Sequence, residues 1–157
     1  KMGSCGVIFI SHRGNLAGAA TSSENHPDQI RLCLSLGFHV EVDVWNFSDR
    51  LFLGHDGPDH AVTLQFLQND KLWCHAKNFE ALEYLIAHGV HCFWHQGDDC
   101  VLTSEKYIWT YPGKPLTSRS ICVMPELYSH NHKSLKIGAG ICTDFPIKYK
   151  EIINEIE

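Results

Sequence analysis

The chain has 157 residues, 44% of them hydrophobic, and a formal net charge of −5. That length and composition fit one globular domain over residues 1–157 with a substantial core, and the acidic balance gives no electrostatic reason to expect nucleic-acid binding, which generally announces itself as a basic patch. No apolar run approaches the roughly 20 residues needed to span a bilayer as a helix, so no transmembrane segment is expected.

Taken in chain order, the first element is the apolar run Val7 to Ile10, which stops at Ser11, His12, Arg13 and Gly14. An uninterrupted run of this kind predicts a strand over 7–12 buried on both faces, as in a parallel sheet. Arg13 supplies a fork of charge-assisted donors suited to a phosphate, and Gly14 permits a sharp exit from the strand. Residues 26–36 form the first predicted helix, opened by Pro27 and closed by Gly37.

Next, alternation over 39–45 predicts a strand with Val40, Val42 and Val44 on one face and Glu41 and Asp43 on the other. Two carboxylates side by side repel unless a cation, a shared proton or bulk water compensates, so Glu41 and Asp43 are candidate ligands of a divalent metal. The apolar stretch 51–53 leads into His55 and Asp56, and two strand-end histidines, His12 and His55, supply a candidate acid–base pair.

Farther along, strands are predicted over 72–76, 91–95, 107–111, 120–124 and 139–144. A helix over 79–88 is capped by Asn78 and ended by Gly89, with Phe79, Leu82 and Ile86 as its apolar stripe. Tyr149, Ile152, Ile153 and Ile156 recur at helical spacing near the carboxyl end. Residues 96–106 and 112–119 are rich in turn formers and read as loops. His95 closes its strand before Gly97, Asp98 and Asp99, which makes it a candidate substrate contact. Glu126 is a weaker candidate at the same mouth, and Trp45, Trp109 and Tyr111 are candidate walls. His26, His60, His88, His130 and His132 read as surface residues. The seven cysteines include no C-x-x-C pair, and five lie in apolar runs, which fits buried thiols in a reducing cytoplasmic setting better than a disulfide frame or a thiolate zinc site.

Together, His12-Arg13-Gly14, Glu24-Asn25, Glu41-Val42-Asp43, His55-Asp56 and Thr143-Asp144-Phe145-Pro146 resemble, in order, the motifs of the glycerophosphodiester phosphodiesterase family, within the phospholipase C-like phosphodiesterases. The resemblance is specific over 7–56 and 139–146 and loose between. It implies a (β/α) TIM-type barrel and a divalent-metal-dependent phosphodiesterase. Its metal, Mg²⁺ or Ca²⁺, would sit on Glu41 and Asp43, with Arg13 and Lys77 beside the phosphate, Glu24 in the polar lining, and His12 and His55 exchanging protons. The family's third metal-ligating glutamate is replaced by His75, which as a ligand would favour Mn²⁺, Fe²⁺ or Zn²⁺.

Such barrels usually need about 250 residues and at least about 200. The expectation is therefore a reduced barrel of seven to eight mostly parallel strands, with several crossover helices shortened to loops, and a small phosphodiester as substrate. Two alternatives compete. One is a non-catalytic module that binds phosphoryl ligands on the same fold. The other is a sugar-phosphate isomerase or aldolase, for which Lys77 is the one strand-end lysine.

Overall fold

The computed structural model describes residues 6–128 and 131–156; the expectation for His130 lies outside them. Its strands are β1 (Ile8–His12), β2 (His39–Phe47), β3 (Arg50–Leu53), β4 (His60–Val62), β5 (Leu72–Ala76), β6 (Cys92–Phe93), β7 (Cys100–Leu102), β8 (Ile108–Thr110), β9 (Ser120–Val123) and β10 (Gly140–Thr143). The helices are α1 (Pro27–Ser35), α2 (Leu64–Leu67), α3 (Phe79–Ala87), α4 (His132–Leu135) and α5 (Pro146–Glu155), with a 3-10 turn at Pro125–Leu127.

All ten strands join one mixed sheet. Parallel pairings link β6, β5, β2, β1, β10, β9 and β8, whereas β2–β3, β3–β4 and β7–β8 are antiparallel. The sheet curls into a half-barrel. It does not close into a ring, since among the described residues no strand pairing joins β6 to β7 or β8.

This overturns the expected TIM-type barrel, for two physical reasons. Ser48 and Asp49, at φ 52° and 62°, make the tight hairpin turn that returns β3 antiparallel to β2. And β6 is only two residues long, after which the chain folds back as the β7–β8 hairpin in place of a crossover. Residues 100–102, expected as loop, are thus a strand.

Alternation sorts the sheet's two faces. Val40, Val42, Val44, Leu72, Cys74 and Ala76 pack outward with Ile30 and Cys33 of α1 and Ala81 and Leu85 of α3. Cys122 and Ile141 pack outward with Leu135, Tyr149 and Ile153 of α4 and α5. Inside the curl lie Ile10, Trp73, Phe93, Trp109, Ile121, Val123 and Cys142.

The predicted stripe on α3 is corrected, because Phe79 and Ile86 are exposed while Ala81 and Leu85 are fully buried. The rotation of α3 is set by Asn78. Its side chain caps Ala81 N, accepts from Asn46 N and donates to Asn46 O, which ties the helix start to β2. Among the described residues no helix is long and apolar enough to cross a membrane.

Candidate functional site

Because the strands of the curl run parallel, their carboxyl ends gather at one mouth. His12 ends β1, opposite Glu41 in register, and Asp43 pairs with His75, which pairs with Phe93. A cavity of about 380 Å³ opens there, lined by His12, Arg13, Glu41, Asp43, His55, His75, Lys77 and His95, and on its other side by an apolar wall. His12, Arg13, Glu41, Asp43, His55, His75, Lys77 and His95, all singled out from sequence, thus meet in it; Glu24 lies just outside, in a small annex with Asn25, Asp56 and Asp59.

His12 is held by a hydrogen bond between Nδ1 and Asp144 Oδ1 at 2.7 Å, leaving Nε2 toward the cavity, 3.9 Å from Glu41 Oε2. Burial disfavours its imidazolium, but the Asp144 hydrogen bond and the charge of Glu41 prevail, and the net effect raises its pKa. Asp144 is itself fixed by Asn15 Nδ2 at 2.9 Å. Its backbone N donates to Glu126 Oε1, and the Glu126 carboxylate also accepts from the Thr143 hydroxyl. Glu126 therefore braces the end of β10 rather than lining the mouth. Burial works against the Asp144 carboxylate, yet its bonds to His12 and Asn15 keep its pKa below the ordinary range.

On β2, Asp43 is 1% exposed and Glu41 3%. Asn25 grips Asp43 twice, its amide donating to Oδ2 and its carbonyl oxygen accepting from Asp43 N, both at 2.9 Å. Asn25 does so at φ 59°, a left-handed conformation that asparagine tolerates better than most residues. Burial alone would raise the pKa of Asp43, but its contacts with His55, His75 and Asn25 reverse this and lower it strongly. Glu41 goes the other way, raised by burial and then by the charge of Asp43.

His75 places Nδ1 3.1 Å from Asp43 Oδ1, and Nε2 3.3 Å from the His95 carbonyl. With Nε2–H donating to that carbonyl, the Nδ1 lone pair faces a carboxylate oxygen, a contact that is favourable only with a cation or an additional proton between them. Glu41, Asp43 and His75 each present a ligand atom within 4.8 Å of the others. The donor set thus fits a divalent metal, and the His95 carbonyl supplies the outer-sphere hydrogen bond that orients a ligating imidazole.

Arg13 is placed differently from the expectation of a free phosphate fork. Its Nη1 donates to Glu24 Oε2 at 3.2 Å and its Nη2 to His55 Nε2 at 3.3 Å, while Nε lies 3.6 Å from Asp43 Oδ2. Arg13 therefore organises Glu24, His55 and Asp43, and Glu24 holds Arg13 rather than approaching Glu41, Asp43 and His75. The left-handed turn at Arg13 and Gly14, φ 57° and 88°, brings Arg13 N to Glu41 O and Oε2.

His55 Nδ1 is 3.5 Å from Asp43 Oδ2, and its Nε2 lies 3.7 Å from Oδ1 of Asp56, whose side chain is 98% exposed. Lys77 lines the cavity without an ion-pair partner among the described residues. His95 stacks on Tyr111, ring centroids 3.8 Å apart, and burial followed by the charge of His75 lowers its pKa. Asp98 is half exposed, 3.9 Å from His95 Nδ1, and Asp99 pairs with Lys114. Trp109 and Tyr111 do line the cavity, whereas Trp45 donates to Gly54 O and steadies the loop before His55.

Sequence reasoning missed the orienting roles of Asn15, Asn25 and Asp144. The Glu24-Asn25 and Thr143-Asp144 motifs marked two of these positions without saying what they hold. Comparison with known protein families, with characterised proteins and with solved structures finds no match to this chain.

Proposed function

We propose that the chain is a divalent-metal-dependent phosphodiesterase of the glycerophosphodiester phosphodiesterase kind, acting on a small phosphodiester. The observation that carries this reading is the Glu41, Asp43 and His75 group, set in one cavity between two histidines and Lys77. Charge balance supports it. Formally four carboxylates (Glu24, Glu41, Asp43, Asp144) stand against two fixed cations (Arg13, Lys77), a balance that repels an anionic diester until a divalent cation offsets it.

Glu41, Asp43 and His75 would hold the metal, and one imidazole among two carboxylates favours Mn²⁺, Fe²⁺ or Zn²⁺ over Mg²⁺ and Ca²⁺. A metal there supplies Lewis-acid stabilisation of the charge that develops around phosphorus. Lys77, whose ammonium has no carboxylate partner to give up among the described residues, would bind a second phosphoryl oxygen. His12 exchanges its proton through Nε2 while Asp144 holds the ring through Nδ1. One histidine takes the proton of the attacking hydroxyl as the new P–O bond forms; the other protonates the leaving alcohol as its bond to phosphorus breaks.

A second reading, a module that binds phosphoryl ligands without turnover, draws on His55. Arg13 donates to its Nε2 and its Nδ1 faces Asp43, so both ring nitrogens are engaged and His55 must release Arg13 to act as a base.

The test is cleavage of a panel of glycerophosphodiesters and a chromogenic diester by metal-free protein supplied with Mg²⁺, Ca²⁺, Mn²⁺ or Zn²⁺. Metal-dependent turnover, strongest with Mn²⁺ or Zn²⁺, is the expected result. Metal and ligand binding with no turnover under any condition replaces this reading with the binding module.

A further inference from the structure

The polar constellation accounts for only one side of the cavity. The other is formed by Phe93, Trp109, Tyr111, Val123, Met124 and Leu127, with no charged side chain among them. Phe93 and Trp109, each 2% exposed, make its floor. The wall then rises past Met124, whose φ of 49° turns the chain out of β9, to Leu127, 70% exposed at the rim. An exposed leucine continuing a buried apolar wall is a path that leads outward, unlike a closed slot.

The ring faces along this path are already engaged. Phe93 and Trp109 lie 4.6 Å apart, Trp109 also meets Trp73, and His95 covers Tyr111. What remains available is apolar surface open at one end, which suits a flexible aliphatic chain better than a flat aromatic group.

We infer that this wall receives an aliphatic chain on one of the substrate's two alcohol groups, so that the substrate class is a phosphodiester bearing a single alkyl or acyl chain. The inference rests on the phosphodiesterase reading for its chemistry. The geometry places the chain from the floor at Phe93 and Trp109 outward past Leu127, while the phosphoryl group stays beside Lys77 and the carboxylates.

The experiment uses methyl, butyl, octyl and phenyl esters of phosphoglycerol, kept monomeric, with the Mn²⁺-loaded protein, measuring both kcat/KM and the calorimetric Kd. Each methylene that lies against the wall should tighten binding about four-fold, with a plateau once the chain passes the rim. Leu127→Ser, at an exposed position where folding is not in question, should bring that plateau to a shorter chain. A flat alkyl series with turnover intact overturns the inference, as does a phenyl ester that binds better than butyl. Chain-length-dependent Kd without turnover upholds the apolar subsite and removes the phosphodiesterase reading instead.

Discussion

Histidines occupy both ends of the curled sheet, and the two sets live in opposite electrostatic settings. At the mouth, His12 and His75 face buried carboxylates, and Asp144 and Glu41 hold the pKa of His12 up against its burial. At the base, where the strands begin, His91 packs on Trp73 and bonds to the Thr103 hydroxyl, and His39 accepts from Trp73 Nε1. The nearest carboxylate to His91 is Glu105, 3.5 Å away but itself half exposed, and burial followed by the charge of His39 takes its pKa down to about 4. The same side chain thus faces buried carboxylates at one end and serves as a packing group at the other. Changes at the mouth should act chiefly on binding and turnover, and changes at the base chiefly on stability.

Asp43→Asn should produce the largest effect. It removes a proposed metal ligand, so the loss of Mn²⁺ affinity should exceed the roughly 10–100-fold typical of losing an outer-sphere partner, and turnover should fall below detection. Because the change relieves repulsion with Glu41 but gives up the contacts of His55 and His75 with the carboxylate, the unfolding temperature should shift little. A marked drop in Tm would mean that Asp43 is structural and the division between mouth and base is misplaced. His12→Ala should lower kcat by roughly 10²–10⁴-fold, as for loss of a general acid or base, with Mn²⁺ affinity by calorimetry within a few-fold of wild type. Parallel loss of metal binding would make His12 a ligand instead.

Asn25→Gly separates positioning from ligation. Glycine accepts the left-handed backbone at this residue without strain but removes both hydrogen bonds to Asp43. Mn²⁺ affinity should fall roughly 10–100-fold, and excess Mn²⁺ should restore most of the turnover. Turnover that stays low at saturating Mn²⁺ would place Asn25 in the chemistry itself.

How much of this could be read beforehand follows from the range of each interaction. The inward placement of Glu41 and Asp43 is a period-two property of nine consecutive residues in β2, and such local patterns are legible. The His12–Asp144 bond spans 132 positions and the Asn25–Asp43 bond 18; nothing local announces either, and only the motif order marked the positions. β7 escaped notice because three residues, Cys100 to Leu102, cannot show a period within a segment rich in turn formers. The open half-barrel escaped for a related reason. Seven apolar runs do not reveal that the chain turns back after a two-residue β6, since ring closure is a property of the whole sheet. The exposed Phe79 and Ile86 follow from the Asn78–Asn46 bonds that rotate α3, a tertiary constraint that overrides helical periodicity.

The base of the sheet supplies the smallest effect and the sharpest contrast. His91 has a 3% exposed side chain, and its folded pKa, about 4, lies below the ordinary 6.5 of the unfolded chain. Between those values the unfolded state binds a proton that the folded state refuses, so stability rises with pH across this window and is lost as pH falls from 6.5 toward 4. One such group contributes up to about 1.4 kcal/mol per pH unit within the window and nothing further above it. Urea unfolding at pH 7.0, 6.0 and 5.0 should therefore show a steeper decline for wild type than for His91→Gln. The variant should begin less stable at pH 7.0, having lost the Trp73 packing and the ring's bond to Thr103. His12→Ala should behave in the opposite sense. His12, with its pKa raised in the fold, contributes stability that is complete below the unfolded value and fades as pH climbs past the folded one, so its removal should flatten the alkaline side of the profile. If both variants change the same limb of the curve, the two ends of the sheet do not differ in the way their partners indicate.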